Sequence, residues 1–399
     1  MWWNTSVEDF RREIRAFADT VVAPAADRMD ASGAFEPELM AQMRQRNLLS
    51  MLCPKEYGGP GSDTLTYAVA VEELSRVCGS TGITVAAANS LGVYPVSSFG
   101  TSKQRQDVLP GVARNGAIIA FGLTEPGAGS DASGTKTTAV REGDSWVLNG
   151  GKCFITNPHF AEWIIATAVT RPGQGARGIS SFLLHKDTPG FSVGKKENKM
   201  GLRGSDTATL HFDGVKLPLD AMLGPEGEGF KQFMKTLDGG RISIGAMALG
   251  LAQGSLEVAA RYVLENKRLG GDQGDHQSVQ FKLADMATQV EAARHLVYNS
   301  AHLKDTGRPF AKQSAMAKLY ASEVGRFCAE QAMKIMGIDG FTAAGRVERH
   351  FRDVKLCEIG EGTSEIQRIV ISRYVLKEFE TVVEATAAAT HDPQMAHVN

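Results

Sequence analysis

The hydrophobic period changes twice along this chain, and that double switch restricts its possible folds more than any other feature. From Ser6 to about Ala23, apolar residues recur at helical spacing (Val7, Phe10, Ile14, Phe17, Val21) behind a Thr5/Ser6 cap. Segments 37–47, 62–77 and 80–90 read the same way, punctuated by Pro54, Gly58-Gly59-Pro60 and Gly79. At about Ile118 the period falls from helical to alternating. Strand-like runs begin at Ser145, Trp163, Ile179 and Ala208, broken by turns at Gly143-Asp144, Pro172-Gly-Gln-Gly175 and Thr188-Pro-Gly190. These predict a compact antiparallel sheet or barrel ending near Pro218. After Gly229 helical spacing returns (Leu283, Met286, Val290, Ala293, Leu296; then Met316, Tyr320, Val324, Cys328), with Gly307-Arg-Pro309 as a short turn between antiparallel helices. Gly245, Gly250 and Gly254 fall within another helix, where small residues permit close helix approach. The expected organisation is α+β and multidomain: a helical domain over 1–117, a β domain over 118–225, a helical bundle over 226–383 and a flexible tail over 384–399.

Charge narrows the partners. Lys+Arg 43 against Asp+Glu 45 gives a net charge of -2, which offers no electrostatic basis for binding nucleic acid or an anionic membrane. The five cysteines are irregularly spaced and contain no C-x-x-C pair, so neither a zinc site nor a disulfide framework is expected. The start, Met-Trp-Trp-Asn, is not a signal or transit sequence, and no apolar run reads as membrane-spanning. The cytoplasm is the expected location.

Two stretches carry candidate chemistry. Glu361 stands between Gly360 and Gly362 just before an apolar helical segment opened by Thr363 and Glu365. Flanking glycines let the backbone approach a bound molecule and leave the carboxylate unobstructed, as a general base requires. The second stretch is Phe121-Gly-Leu-Thr-Glu-Pro-Gly-Ala-Gly-Ser-Asp131, a strand end running into a glycine-rich turn whose N–H groups can converge on a phosphate or ring heteroatom. Alone, each also reads as a plain structural turn. The dinucleotide-fold glycine fingerprint in a βαβ setting is missing, so a Rossmann domain is not expected.

Five motifs occur in order: Thr124-Glu-Pro-Gly-Ala-Gly-Ser-Asp131, Phe154-Ile-Thr-Asn157, Lys199-Met-Gly-Leu-Arg-Gly-Ser-Asp-Thr207, Leu237-Asp-Gly-Gly-Arg241 and Glu361-Gly-Thr-Ser-Glu-Ile-Gln-Arg368. With them the chain from about 6 to 380 resembles an acyl-CoA dehydrogenase. The resemblance implies that family's fold: an N-terminal α-helical domain, a middle antiparallel β-barrel or sheet and a C-terminal four-helix bundle. It also implies FAD as cofactor, an acyl-CoA substrate, a homotetramer and electron transfer to an electron-transferring flavoprotein. Glu361 matches the family's base, which takes the α-proton while the β-hydrogen leaves as hydride. Some relatives carry the base at the position of Gly240, and glycine cannot abstract a proton.

By the same resemblance Phe121, Leu123, Thr124, Phe154, Thr156, Thr363 and Glu365 contact the flavin, while Ser130, Asp238, Arg241 and Gly362 contact the substrate. The departures lie mostly at the dinucleotide half. Asn266 stands where relatives have an arginine that crosses to a neighbouring subunit's FAD, and Lys334 and Ile338 alter a Gln-x-x-Gly-Gly motif. Arg268 or Lys334 could restore the positive charge, and Gln277 is retained. Phe154 replaces a tryptophan and Gly360 a tyrosine, the latter suggesting room for a branched or cyclic acyl group. Alternative readings are a flavin oxidase or monooxygenase on the same fold, and a non-catalytic acyl-CoA-binding protein.

Overall fold

A computed structural model describes residues 5–390 of the chain. The Met-Trp-Trp-Asn start and residues 391–399 of the expected tail lie outside the described residues. The first layer is helical: α1 (Thr5–Phe17), α2 (Ala23–Ser32), α3 (Pro37–Gln45), α4 (Thr64–Ser75), α5 (Gly79–Ala87), α6 (Tyr94–Phe99) and α7 (Ser102–Asn115). π-helical turns at Ala18–Val22 and Ala88–Val93 join α1 to α2 and α5 to α6, so the first expected helix continues beyond Ala23. Helix α7 was not legible from apolar spacing because Pro110 lies inside it. A capping box nevertheless marks its start, with Thr101 Oγ1 accepting from Gln104 N–H and Gln104 Oε1 from Thr101 N–H.

The middle layer is one curled seven-stranded sheet, β1 (Ile118–Gly122), β2 (Thr138–Glu142), β3 (Ser145–Thr156), β4 (Ala161–Val169), β5 (Ile179–His185), β6 (Phe191–Lys196) and β7 (Thr207–Pro218). Its order is β1-β4-β2-β3-β7-β6, with β5 beside β4. The expectation of an antiparallel sheet needs correction, because β1 runs parallel to β4 along its whole length and β2 meets β4 in parallel at Thr138 and Val169. A parallel neighbour needs a long crossover. Here β2 and β3 supply it between β1 and β4.

The third layer is built on α8 (Gly229–Arg268), a single helix of 40 residues, with α9 (Gln277–Asp305), α10 (Ala311–Met336), α11 (Ile338–Phe341), α12 (Val347–Ile359) and α13 (Ser364–Thr390). By length and composition alone α8 could span a membrane, which the sequence reading did not anticipate; 78% of its most apolar window is buried inside the protein, as befits a core helix. A Cβ on Gly250 would lie 2.2 Å from Glu72 O, and one on Gly254 2.0 Å from Arg76 O, so both glycines are what lets α8 touch α4 and the turn after it. The α9–α10 turn also closes onto the first layer, where Asp305 accepts from Thr64 and Leu65 N–H at 2.7 and 3.0 Å and caps α4. Helix α13 runs to Thr390, past the expected tail boundary at 383. Its alanine-rich end has high helix propensity.

Candidate active site

Helix α8 connects the β layer to the candidate base. Phe233 on α8 stacks on Phe121 of β1 with ring centroids 5.1 Å apart. Gly240 follows seven residues later, two helical turns on and on the same face, about 10 Å along the axis. There a Cβ would lie 1.9 Å from Oε2 of Glu361. The absent side chain of Gly240 is therefore the space into which the Glu361 carboxylate folds.

Glu361 itself sits in the turn between α12 and α13 with φ 54°, followed by Gly362 with φ 89°. A left-handed glutamate costs about 1–2 kcal/mol, and such strain persists only where surrounding contacts hold it. The holding contacts converge on the next carbonyl. Gly362 O accepts from Gln367 Nε2 at 2.8 Å and from the ammonium of Lys318 on α10. Oε2 of Glu361 is out of contact with water and has no hydrogen-bond partner among the described residues. Burial drives this carboxyl up to about 7, against the opposing pull of Lys318 and Arg241. The Glu361 N–H makes no hydrogen bond to any described residue, which leaves it free for an incoming acceptor.

Arg241 lies one residue beyond Gly240, 4% exposed, and bonds Asp238 Oδ1 at 2.6 Å; its Nε has no partner. Burial raises the Asp238 carboxyl above its usual range, with Arg241 opposing. Among the residues assigned by resemblance, Glu361, Gly362, Asp238 and Arg241 thus gather around one turn of α8. Lys318 and Gln367 were missed. Lys318 was readable as an anomaly, a cation within a helical stripe of small residues (Ser314, Ala315, Ala321, Ser322).

A second wall forms on the β layer. Cys153 N–H donates to Thr124 O at 2.8 Å, tying the end of β3 to the glycine-rich loop. Glu125 anchors that loop, accepting from Lys152 Nζ at 2.6 Å, Thr135 Oγ1 at 2.7 Å, Lys136 N–H at 2.7 Å and Thr137 N–H at 3.1 Å. Although burial works against ionisation, Lys152 and the other donors pull the Glu125 carboxyl down to about 2. Beyond this anchor the loop opens outward: nothing lies within 4 Å of where a Cβ on Gly127 or Gly129 would stand, and Ser130 is exposed. Phe154 has φ 56° and an exposure of 65%, beside half-buried Leu123, Thr124 and Thr156. A large ring held in a strained backbone conformation yet left facing outward, next to two hydroxyls, fits one face of a planar heteroaromatic group such as flavin. Thr363 caps α13 through Ile366 N–H at 3.3 Å, and Glu365 is exposed in its first turn.

Arg268, Gln277 and Lys334 do not join this site. Helix α8 runs about 40 Å from Gly240 to Arg268. All three side chains are exposed at the far end of the bundle, where Gln273 Nε2 bonds Ile335 O at 2.7 Å and Lys334 pairs with Glu330 at 2.7 Å. They cannot serve the Glu361 site of their own chain.

The N-terminal, middle and C-terminal domain models of acyl-CoA dehydrogenase match residues 4–116, 120–215 and 227–376. A probable acyl-CoA dehydrogenase, YngJ, of Bacillus subtilis is 47% identical over 368 residues, 92% of this chain and 97% of that protein. Butyryl-CoA dehydrogenase from Megasphaera elsdenii superposes with a TM-score of 0.91 at 40% identity, covering 94% of this chain and 99% of that one. A chain from the structure of the electron transferring flavoprotein of Acidaminococcus fermentans gives 0.91 at 44% identity, covering 94% and 98%. With three domains matched in order and similarity along nearly the whole length, the chain belongs to the acyl-CoA dehydrogenase family and is an oxidoreductase.

Proposed function

We propose that the protein removes the α- and β-hydrogens of an acyl-CoA thioester to give the 2-enoyl-CoA, with Glu361 as the base. The observation carrying this reading is the unpartnered, buried Oε2 of Glu361 over the bare backbone of Gly240. A carboxyl raised to about 7 is a stronger base than an ordinary glutamate and is still substantially ionised near neutral pH. The Glu361 N–H is available to donate to the thioester oxygen as charge develops there, which lowers the barrier to removing the α-proton. Arg241 and Asp238 orient the CoA arm beside it, with Ser130 on the opposite rim. Phe121, Leu123, Thr124, Phe154 and Thr156 would hold FAD, with Thr363 and Glu365 beyond the base. FAD, when bound, supplies an acceptor for the β-hydrogen as hydride.

Electrons then pass to an electron-transferring flavoprotein; the chain similar to this one from the Acidaminococcus fermentans structure supports that partner. A homotetramer completes the reading. Exposed Leu269, Phe281, Ile338 and Phe341 surround Arg268, Gln277 and Lys334 at the far end of the bundle, an apolar surface suited to burial against another copy. The same end would then bring its cations to a neighbouring copy's dinucleotide. Five free, buried cysteines suit a reducing cytoplasm.

The test is anaerobic addition of acyl-CoAs of varied chain to the yellow protein while the oxidised-flavin absorbance is followed, in parallel with Glu361→Gln. Bleaching by at least one thioester, nearly abolished in the variant, is expected. Undiminished bleaching by Glu361→Gln would remove Glu361 from the mechanism.

A further inference from the structure

Lys318 is 1% exposed and, among the described residues, its Nζ bonds a backbone carbonyl rather than a carboxylate, although burying a lysine ammonium is costly. Its Nζ reaches Gly362 O, the carbonyl directly after Glu361. Several contacts fix it there. Gly245 of α8 brings that helix against the backbone of Ala317 and Lys318, where a Cβ would stand 3.5 Å from Ala317 C and Lys318 N. Ser322, one turn further along α10, shares its one hydroxyl proton between Lys318 O at 2.7 Å and Cys357 O at 2.9 Å, linking α10 to the end of α12 that leads into the base turn. Gln367, buried on α13, supplies the second donor to the same carbonyl.

We infer that Lys318 is a positioning residue for the base: its ammonium holds the Gly362 carbonyl, and so the left-handed turn at Glu361, and places a positive charge beside the enclosed carboxylate. The inference rests on Glu361 being the base. Two donors on one carbonyl separate its two effects. Gln367 is neutral and can only hold the turn, whereas Lys318 holds it and adds charge. The titratable groups around Glu361 are consistent with this division: Lys318 and Arg241 are the cations that favour its ionised form, Tyr67 of α4 is a phenol that burial and Glu361 hold neutral, and Gly240 brings no charge. Burial in turn lowers the Lys318 ammonium to about 8, with Glu361 pulling the other way.

The experiment is the pH dependence of flavin reduction in the holoenzyme, with butyryl-CoA as probe, for wild type, Lys318→Gln, Lys318→Met, Lys318→Arg and Gln367→Met. Thermal midpoint and flavin content are recorded for each. Loss of the cation in Lys318→Gln and Lys318→Met is expected to move the acid limb upward by about one pH unit or more. Lys318→Arg should leave the limb within a few tenths of a unit of wild type, and Gln367→Met should lower the rate without moving it. Lys318→Gln retains a donor for the carbonyl, so the result does not depend on the apolar variant folding. An unmoved limb in flavin-loaded Lys318→Gln would overturn the inference, as would an equal shift in Gln367→Met. Undiminished flavin reduction by Glu361→Gln would instead overturn the base assignment itself; an inactive Glu361→Gln with unmoved Lys318 variants would overturn only the role of Lys318.

Discussion

Gly240 and Glu361 occupy one volume between them: a Cβ on the glycine would lie 1.9 Å from the glutamate's Oε2. The two positions at which the resemblance places a base are thus neighbours across the site, and here one lacks a side chain where the carboxylate of the other, the proposed base, lies. Gly240→Ala tests this directly. Alanine in place of glycine inside a helix favours folding by about 1 kcal/mol. The same methyl displaces the carboxylate, and a misplacement of about 1 Å can cost about a hundredfold in rate. The expected result is slower flavin reduction with a thermal midpoint that is unchanged or higher. A fall in both together would mean that the glycine is there for packing alone.

Protonation of Glu361 affects activity and stability in opposite senses. As the proposed base, Glu361 must be ionised, so flavin reduction should be fully developed above about pH 7 and decline tenfold per unit below it. For stability, the native carboxyl is raised to about 7 from an ordinary 4.5. The native state therefore holds a proton that the unfolded state releases between those values. Its contribution to stability is present below about 4.5 and lost as pH rises through about 7. Stopped-flow rates and thermal midpoints across that window check both signs, and Glu361→Gln should flatten the stability component.

His350 titrates the other way. It is 2% exposed, bonded to Ser255 at 3.2 Å, and burial together with Arg349, Arg346 and Arg76 lowers it to about 3. Unfolding releases it to take up a proton at its ordinary value of 6.5. Stability should therefore fall as pH drops from about 6.5 towards 3, at up to about 1.4 kcal/mol per unit. Urea midpoints at pH 7 and pH 5 measure the effect, and a neutral substitute such as His350→Gln should reduce the difference between them.

Much of this architecture is written locally. The change from period 3.6 to 2 and back is visible because each side chain's burial is fixed by its own element, and Trp163, Ile179 and Ala208 fall in strands as their spacing predicts. Parallel pairing of β1 with β4 was illegible, because alternation reports which face is buried but not which strand lies alongside. The π-helical turn at Ala88–Val93 left no mark either, since its residues are buried nearly all round and show no stripe. At the site, the glycine-flanked Glu361 could be read from its isolation. The cation beneath its turn stands out on its own helix but its place at the site could not be read, because Lys318 reaches Gly362 across 44 positions of sequence and only the packing of α10 against α8 and α12 brings them together.

The far end of the bundle predicts a dependence of cofactor retention on assembly. Leu269 is 79% and Ile338 74% exposed, close to Arg268 and Lys334. On the proposed homotetramer, Leu269→Asp with Ile338→Asp should separate the copies, reducing the mass found by light scattering, and should release flavin even though Glu361 and Phe154 are untouched. An oligomer that persists with full flavin content in this variant would place the contact between copies elsewhere.

The proposed room for a branched or cyclic acyl group rests on Gly360. Its φ of -69° and ψ of 153° are open to any residue, so no backbone strain demands glycine here. A Cβ would lie 3.3 Å from Leu356 Cδ1, the mobile tip of a side chain that can give way. Backbone conformation therefore does not demand glycine at this position, which immediately precedes the proposed base in sequence, and the proposed role of the missing side chain is to leave room for the acyl group. Gly360→Tyr should fold normally and keep its activity on butyryl-CoA. It should lower kcat/KM for isobutyryl-CoA or a ring-bearing thioester by about tenfold, the scale on which a filled pocket discriminates between close homologues. Wild-type protein that turns over straight chains alone, with no activity on branched or ring thioesters, would show that the cleared volume is not used by the acyl group.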